Sequence, residues 1–233
     1  MERVVKIFEK SLGENHPNVA TALNNLAQLY QETGRLKEAE LLMQRVVKID
    51  EASFGKDHPD VAIDLNNLAA LYKETGRLKE AEPLMQRALA IDETSLGKDH
   101  PNVAIRLNNL ALLYKATNRL KEAEPLMQRA LKINEASFGK DHPTVAITLN
   151  NLAQLYQDTN RLKEAEPLME RLLVIFLQFT RRTGHPHPHL DTAINNYSGL
   201  LMEMGHSRNE VNDRLKRLAP EMFESTDKQV KEE

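Results

Sequence analysis

The octapeptide Leu65-Asn66-Asn67-Leu68-Ala69-Ala70-Leu71-Tyr72 recurs almost unchanged at Leu23 to Tyr30, at Leu107 to Tyr114 and at Leu149 to Tyr156, a step of 42 residues each time. A looser fifth copy, Ile194 to Leu201, starts 45 residues after the fourth, so three residues are inserted before it. Self-similarity at one fixed period is the mark of a solenoid, in which each unit buries its apolar face only against its neighbours.

At 100° per residue, Val61, Ala62, Leu65, Leu68, Ala69 and Tyr72 share one arc, and Asn66, Asn67, Ala70 and Lys73 fall outside it. This spacing predicts an amphipathic helix A. Asp57-His58-Pro59 marks its start, because proline at the first helical position loses an N–H that has no intrahelical partner anyway. Gly76 marks its stop as a left-handed C-cap. A second helical series, Leu78, Ala81, Leu84, Met85, Ala88, Leu89 and Ile91, predicts a helix B running to Gly97. Pro83, Pro125 and Pro167 stand about one turn into helix B, near the limit for proline, and Leu41 takes that place in the first unit.

Glu2 to Glu9 aligns with Gln44 to Glu51, the second half of helix B, so the chain is expected to open inside a repeat of a longer array. The predicted organisation is a single array over residues 1–220: a half repeat 1–13, repeats 14–55, 56–97, 98–139 and 140–184, and a divergent capping repeat 185–220. Residues 221–233 are polar and expected to fray. Val4, Val5, Ile7 and Phe8 lack a helix A partner, which predicts weak self-association through the half repeat. At the other end Phe176, Leu177 and Phe179 replace Asp92, Glu93 and Ser95 of the second repeat, so the capping repeat is expected to cover them. Ser207 and Glu210 have capping-box spacing and predict a closing helix to about Leu218.

Composition narrows the function classes. The net charge of −3 comes from interspersed acids and bases, which argues against a nucleic-acid or membrane partner. There are no cysteines, and the first residues lack the apolar core of a signal peptide, so a cytoplasmic location is expected. Gly55-Lys56 and its repeats lack the upstream glycine and following hydroxyl of a phosphate loop. His16, His58, His100 and His142 recur one per unit, too far apart to share an ion. His185, His187 and His189 alternate with proline, which is not a ligand spacing, so no metal or other cofactor is predicted. No paired carboxylates or Ser-His-Asp set stand out, and Met43, Met85, Met127 and Met169 read as helix B packing. No enzyme is expected.

Within one unit, Leu65, Leu68, Ala69, Tyr72, Gly76, Ala81, Met85 and Ala88 occupy the signature positions of the tetratricopeptide pattern, and the chain resembles that family. The long period and the phrases LNNLA, RLKEAEPL and LGKDHP are similar to the kinesin light chain subgroup, from Glu2 to about Tyr197. Leu36, Leu78, Leu120 and Leu162 depart from it where tyrosine is common, and no coiled coil for a motor heavy chain is present. The resemblance implies an all-α, right-handed superhelical solenoid of antiparallel helix pairs. It implies a non-enzymatic interaction module of cargo or adaptor type, with a linear peptide segment of a partner in a concave groove lined by the A helices. A scaffold that stacks through its terminal helices is the alternative reading.

Asn24, Asn66, Asn108 and Asn150, the first of each Asn pair, fall at a groove position of that family. Amides could hold the backbone of an extended peptide, or could bridge neighbouring A helices instead. Positions that vary between units would then read the segment: Ile63 and Ile105, Ala70 and Leu112, Lys73 and Lys115. Apolar and basic residues together suit an apolar, acidic linear motif. The subtype that clamps a terminal carboxylate is disfavoured, because it needs Lys or Arg where Asn66, Ala70, Asn108 and Leu112 stand.

Overall fold

A computed structural model describes residues 1–220, and the stretch 221–233 expected to fray lies outside them. Among the described residues there are eleven helices and no strand. They fall into two compact units, one from Met1 to Leu126 and one from Met127 onward.

The first unit begins with α1 (Glu2–Leu12) and continues with the pairs α2 (Pro17–Glu32) and α3 (Leu36–Phe54), then α4 (Pro59–Glu74) and α5 (Leu78–Leu96). It closes with α6 (Pro101–Ala116) and the start of α7 (Leu120–Phe138). The observed A and B helices match the predicted starts and stops to within a residue or two. On α4 the buried set is the predicted arc plus Leu71 and Asp64. Leu71 is 1% exposed, whereas Leu29 at the same position of α2 is 42% exposed. That contrast shows the residue to be covered by a neighbouring repeat and not by its own helix pair.

Polar ladders at the repeat period fix the register of neighbouring pairs. Tyr72 and Tyr114 accept hydrogen bonds from Gln44 and Gln86 of the preceding helix B at 3.1 Å, and Tyr30 donates to Glu2 at 2.5 Å. Arg77 lies 4.1 Å from the ring centroid of Tyr72, a cation–π contact, while donating to Glu80 of its own helix and to Glu40 of the previous repeat. Arg87 likewise holds Glu51 and the Lys56 carbonyl.

Each A helix starts on a histidine. Nδ1 of His16, His58, His100 and His142 accepts from the backbone N–H two residues on, at 3.1 to 3.2 Å, which satisfies one of the donors a helix start leaves unpaired. Histidine here does the work of an Asp or Ser cap, and proline follows it at the first helical position. The A-to-B turns need a residue at positive φ, supplied by Gly34 and Gly76 and, in the next two repeats, by Asn118 (φ 60°) and Asn160 (φ 57°). Asparagine is among the few side chains that tolerate this region. Helices α5, α7 and α9 (Leu162–Thr183) run through Pro83, Pro125 and Pro167 without a break, and all three prolines are exposed.

The second unit holds the rest of α7, then α8 (Pro143–Asp158), α9, α10 (Leu190–Glu203) and α11 (Arg208–Leu218). The last helix begins with the predicted capping box: Ser207 N–H donates to Glu210 at 2.7 Å, and Glu210 N–H donates to the Ser207 hydroxyl at 3.4 Å. Phe176 is buried, with the His187 ring stacked on it at 3.9 Å and set edge-on to Phe179 at 5.0 Å. The His-Pro alternation therefore supplies a lid of imidazole over two phenylalanines. Burial and the neighbouring His189 hold His187 below the usual imidazole range, toward the neutral form that stacks.

At the beginning of the chain only Val5 of the four apolar residues is buried. Val4 and Ile7 are exposed, and Phe8 is half-buried.

His58→Ala and His100→Ala should each lower stability by about 1 kcal/mol in urea unfolding, and His58→Asn should restore most of it. An alanine variant as stable as the parent would show the cap to be energetically idle.

Candidate functional site

The A helices of the first unit bury one stripe and present another. Ile63 and Ile105 are 42% and 51% exposed, although the residues on either side of each are buried. Thr21 and Ala70 are also exposed, and Leu112, Lys73 and Lys115 are half-buried. Nine of the ten predicted site residues therefore lie in one unit, on α2, α4 and α6. Asn150 belongs to the second unit, where it borders a cleft of about 230 Å³ between α8 and α10, beside Ile147, Phe176 and Asn196.

The first Asn of each pair is half-buried in all four repeats. Asn66 Oδ1 accepts from Asn109 Nδ2 at 2.8 Å, so the first Asn of one pair is joined to the second Asn of the next and α4 is tied to α6. That is the bridging arrangement raised as the alternative, and it uses only the carbonyl end of the Asn66 amide. Its Nδ2 remains as a donor.

A set of residues that the sequence reading passed over lies beneath this face. Where helix B meets the next helix A, one pair of side chains recurs fourteen residues apart with changing chemistry. It is Asp50 with Asp64, Asp92 with Arg106, and Asn134 with Thr148. All six are buried. Arg106 Nε donates to Asp92 at 2.8 Å and Asn134 Nδ2 to the Thr148 hydroxyl at 2.9 Å. The signal was available as covariation within the chain: Phe8 and Ala22 stand at the same register, and in the repeats that follow a polar residue on B faces a polar residue on A.

Asp50 and Asp64 alone pair two acids. Their carboxyls are within hydrogen-bonding reach of each other, while Asp50 Oδ1 and Asp64 Oδ2 have no partner among the described residues. Burial first, and the neighbouring Asp50 carboxylate second, push Asp64 up to about 8, so near neutral pH one proton is shared between them. They sit on the floor of a cleft of about 410 Å³ between α2 and α4, with Thr21, Asn24 and Ile63 above. The other charged or titratable groups facing the pair are Asp60 and His58 of α4; α2 offers Pro17, Asn18, Thr21 and Asn24.

With the helix pairs and their ladders in place, the class is clear. The tetratricopeptide repeat profile matches residues 1–52, 42–94, 65–136 and 107–178, and the chain belongs to that family. Among solved structures it is similar to BtubC (BKLC) from P. vanneervenii, at 25% identity and TM-score 0.77, covering 95% of this chain and 87% of that one. It is also similar to a Podosopora anserina protein named as a kinesin light chain with nearly identical TPR-like repeats, at 25% identity and TM-score 0.72 over 90% of this chain and 98% of that one. No curated protein matches the chain. No helix of the described residues is long and apolar enough to cross a membrane.

The shared proton fixes the sign of a pH effect. An aspartate titrates near 3.9 when unfolded, so a folded value near 8 makes the pair's contribution most favourable below about pH 4, and it is lost as pH rises toward 8. Asp64→Asn removes this loss. Its melting temperature relative to the parent should therefore climb between pH 4 and pH 8; a difference constant across that window would show that the carboxyl titrates normally.

Proposed function

We propose that this chain is a non-enzymatic interaction scaffold of the cytoplasm that holds a linear segment of a partner protein along its A helices, in the manner of an adaptor. The observation that carries the reading is the exposed isoleucine pair, Ile63 and Ile105, set one per repeat on a face whose flanking positions are buried. Large side chains left out of the core at the repeat period offer evenly spaced contacts to an extended chain. Asn24, Asn66 and Asn108 stand one helical turn further along the same helices as amide donors and acceptors for its backbone. Lys73 and Lys115 lie about 15 Å along their helices from Ile63 and Ile105, at 1.5 Å per residue, and favour carboxylates at that edge. Asn150 with Ile147 gives the second unit a like arrangement of its own. The array is best divided as half repeat, four repeats and a capping repeat, since Phe176 and Phe179 gain their cover from the last of these.

A second reading rests on the exposed Val4, Ile7 and Leu29. Copies would associate weakly, end on, through these residues.

Peptides selected from a displayed random library on the full chain should lose at least tenfold in affinity for Ile63→Lys with Ile105→Lys, with melting unchanged because both residues are exposed. Lys73→Glu with Lys115→Glu should reverse any preference for acidic peptides and reduce its salt dependence. Selected peptides that bind both variants normally would place the site elsewhere. For the second reading, Val4→Lys with Ile7→Lys should abolish concentration-dependent sedimentation, and a profile that never depended on concentration would remove it.

A further inference from the structure

The cleft between α2 and α4 differs from its relatives in one respect. In the next repeat the same register holds Asp92 and Arg106, a buried ion pair at 2.8 Å, so the chain itself supplies the cation. In the repeat after that, Asn134 and Thr148 form a neutral pair that satisfies itself. In the second unit the position of Asp50 is Phe176, and the floor is apolar. Among the described residues, only Asp50 and Asp64 are buried acids with no cation beside them; each is more than nine-tenths buried and keeps an oxygen without a partner, as Asp92 also does beside its arginine.

We propose that this slot is a cation-recognising subsite that receives an arginine side chain of the bound segment. The inference rests on the peptide-binding reading and gives it a chemical requirement. The rim, Thr21 and Ile63, is exposed, and the carboxyls lie on the floor beneath, so a long side chain with its charge at the tip matches the depth. Its methylenes lie against Ile63 and Val46, and its planar donors meet two carboxyls that have oxygens to offer. The Asp92–Arg106 pair is the internal precedent, since the same helix register already accepts a guanidinium on an aspartate. A bare metal ion is the poorer occupant. No group of three His, Cys, Asp or Glu among the described residues is placed to hold one. A subsite with an acidic floor beside Ile63, and lysines further along the A helices, also gives the segment a direction.

Asp64→Arg tests the idea directly, because it builds into this slot the pair that the next repeat already carries. The variant should melt no lower than the parent and should bind library-selected peptides at least tenfold more weakly. Those peptides should be enriched in arginine at one position, and replacing it with citrulline, equal in shape but uncharged, should cost tenfold or more. Selected peptides without arginine, or unchanged binding by a folded Asp64→Arg, overturn the subsite while leaving the peptide-binding reading standing. If no peptide is selected at all, the peptide-binding reading falls. N-acetylarginine methylamide then decides the slot: saturable amide shifts at Thr21, Asn24 and Ile63 that citrulline does not produce support it, and their absence overturns it.

Discussion

The structure depends on one constraint: no helix pair of this chain covers its own apolar stripes. Leu71 is buried where a preceding repeat stands beside it, and Leu29, at the same position, is exposed where only the single helix α1 precedes. Each repeat is therefore stable as a neighbour, and the interface between consecutive pairs must be the same each time. Residues facing this interface recur without change: the leucines and tyrosine of helix A, and Ala81 and Met85 of helix B with their equivalents. Small residues at Ala62, Ala69, Ala81 and Ala88, all at 0% exposure, let helices approach closely.

Apolar contact alone would leave the register soft, since one leucine stripe slides easily past another. Directional contacts remove that freedom. Each helix A tyrosine is bonded to a polar residue twenty-seven or twenty-eight positions earlier, from Glu2 through Gln44, Gln86 and Gln128 to Glu170. Arginines at the start of helix B stack on the tyrosine of their own repeat. They also pair with acids on either side, and Arg77 and Arg119 each bridge two. These pairs are half-exposed, so each contributes modestly, and their value lies in specifying one alignment. With packing and register assigned to recurring residues, other positions, Ile63, Ala70 and Lys73 among them, are free to differ from repeat to repeat.

The buried pairs at the B-to-A junction sit between these two classes. They are inside, yet they vary. A buried position that differs in every repeat is not serving uniform packing. The acid pair gives up stability that a self-satisfied pair such as Asn134 with Thr148 would retain, because desolvating a carboxylate without a cation is costly. A site kept at such a cost is where recognition chemistry is expected to lie.

The repeat itself was legible in the sequence, because a 42-residue period and helical spacing are properties of order along the chain. The starts at His-Pro, the stops at Gly76 and its equivalents, and the capping box at Ser207 are local signals read within a few residues. So too were the exposed isoleucines, which fall off the apolar arc of helix A. What the sequence left open were contacts between residues far apart in order. It allowed the Asn pairs either role, and only the packing of α4 on α6 joined Asn109 to Asn66. It treated Val5 like Val4, and only the placement of α1 on α2 buried one and exposed the other. Asp50 and Asp64 lie fourteen residues apart on successive helices, a spacing that does not by itself bring them together. Their meeting is decided by the crossing of α3 and α4, a tertiary quantity on which the desolvation, the shared proton and the cleft above them all depend.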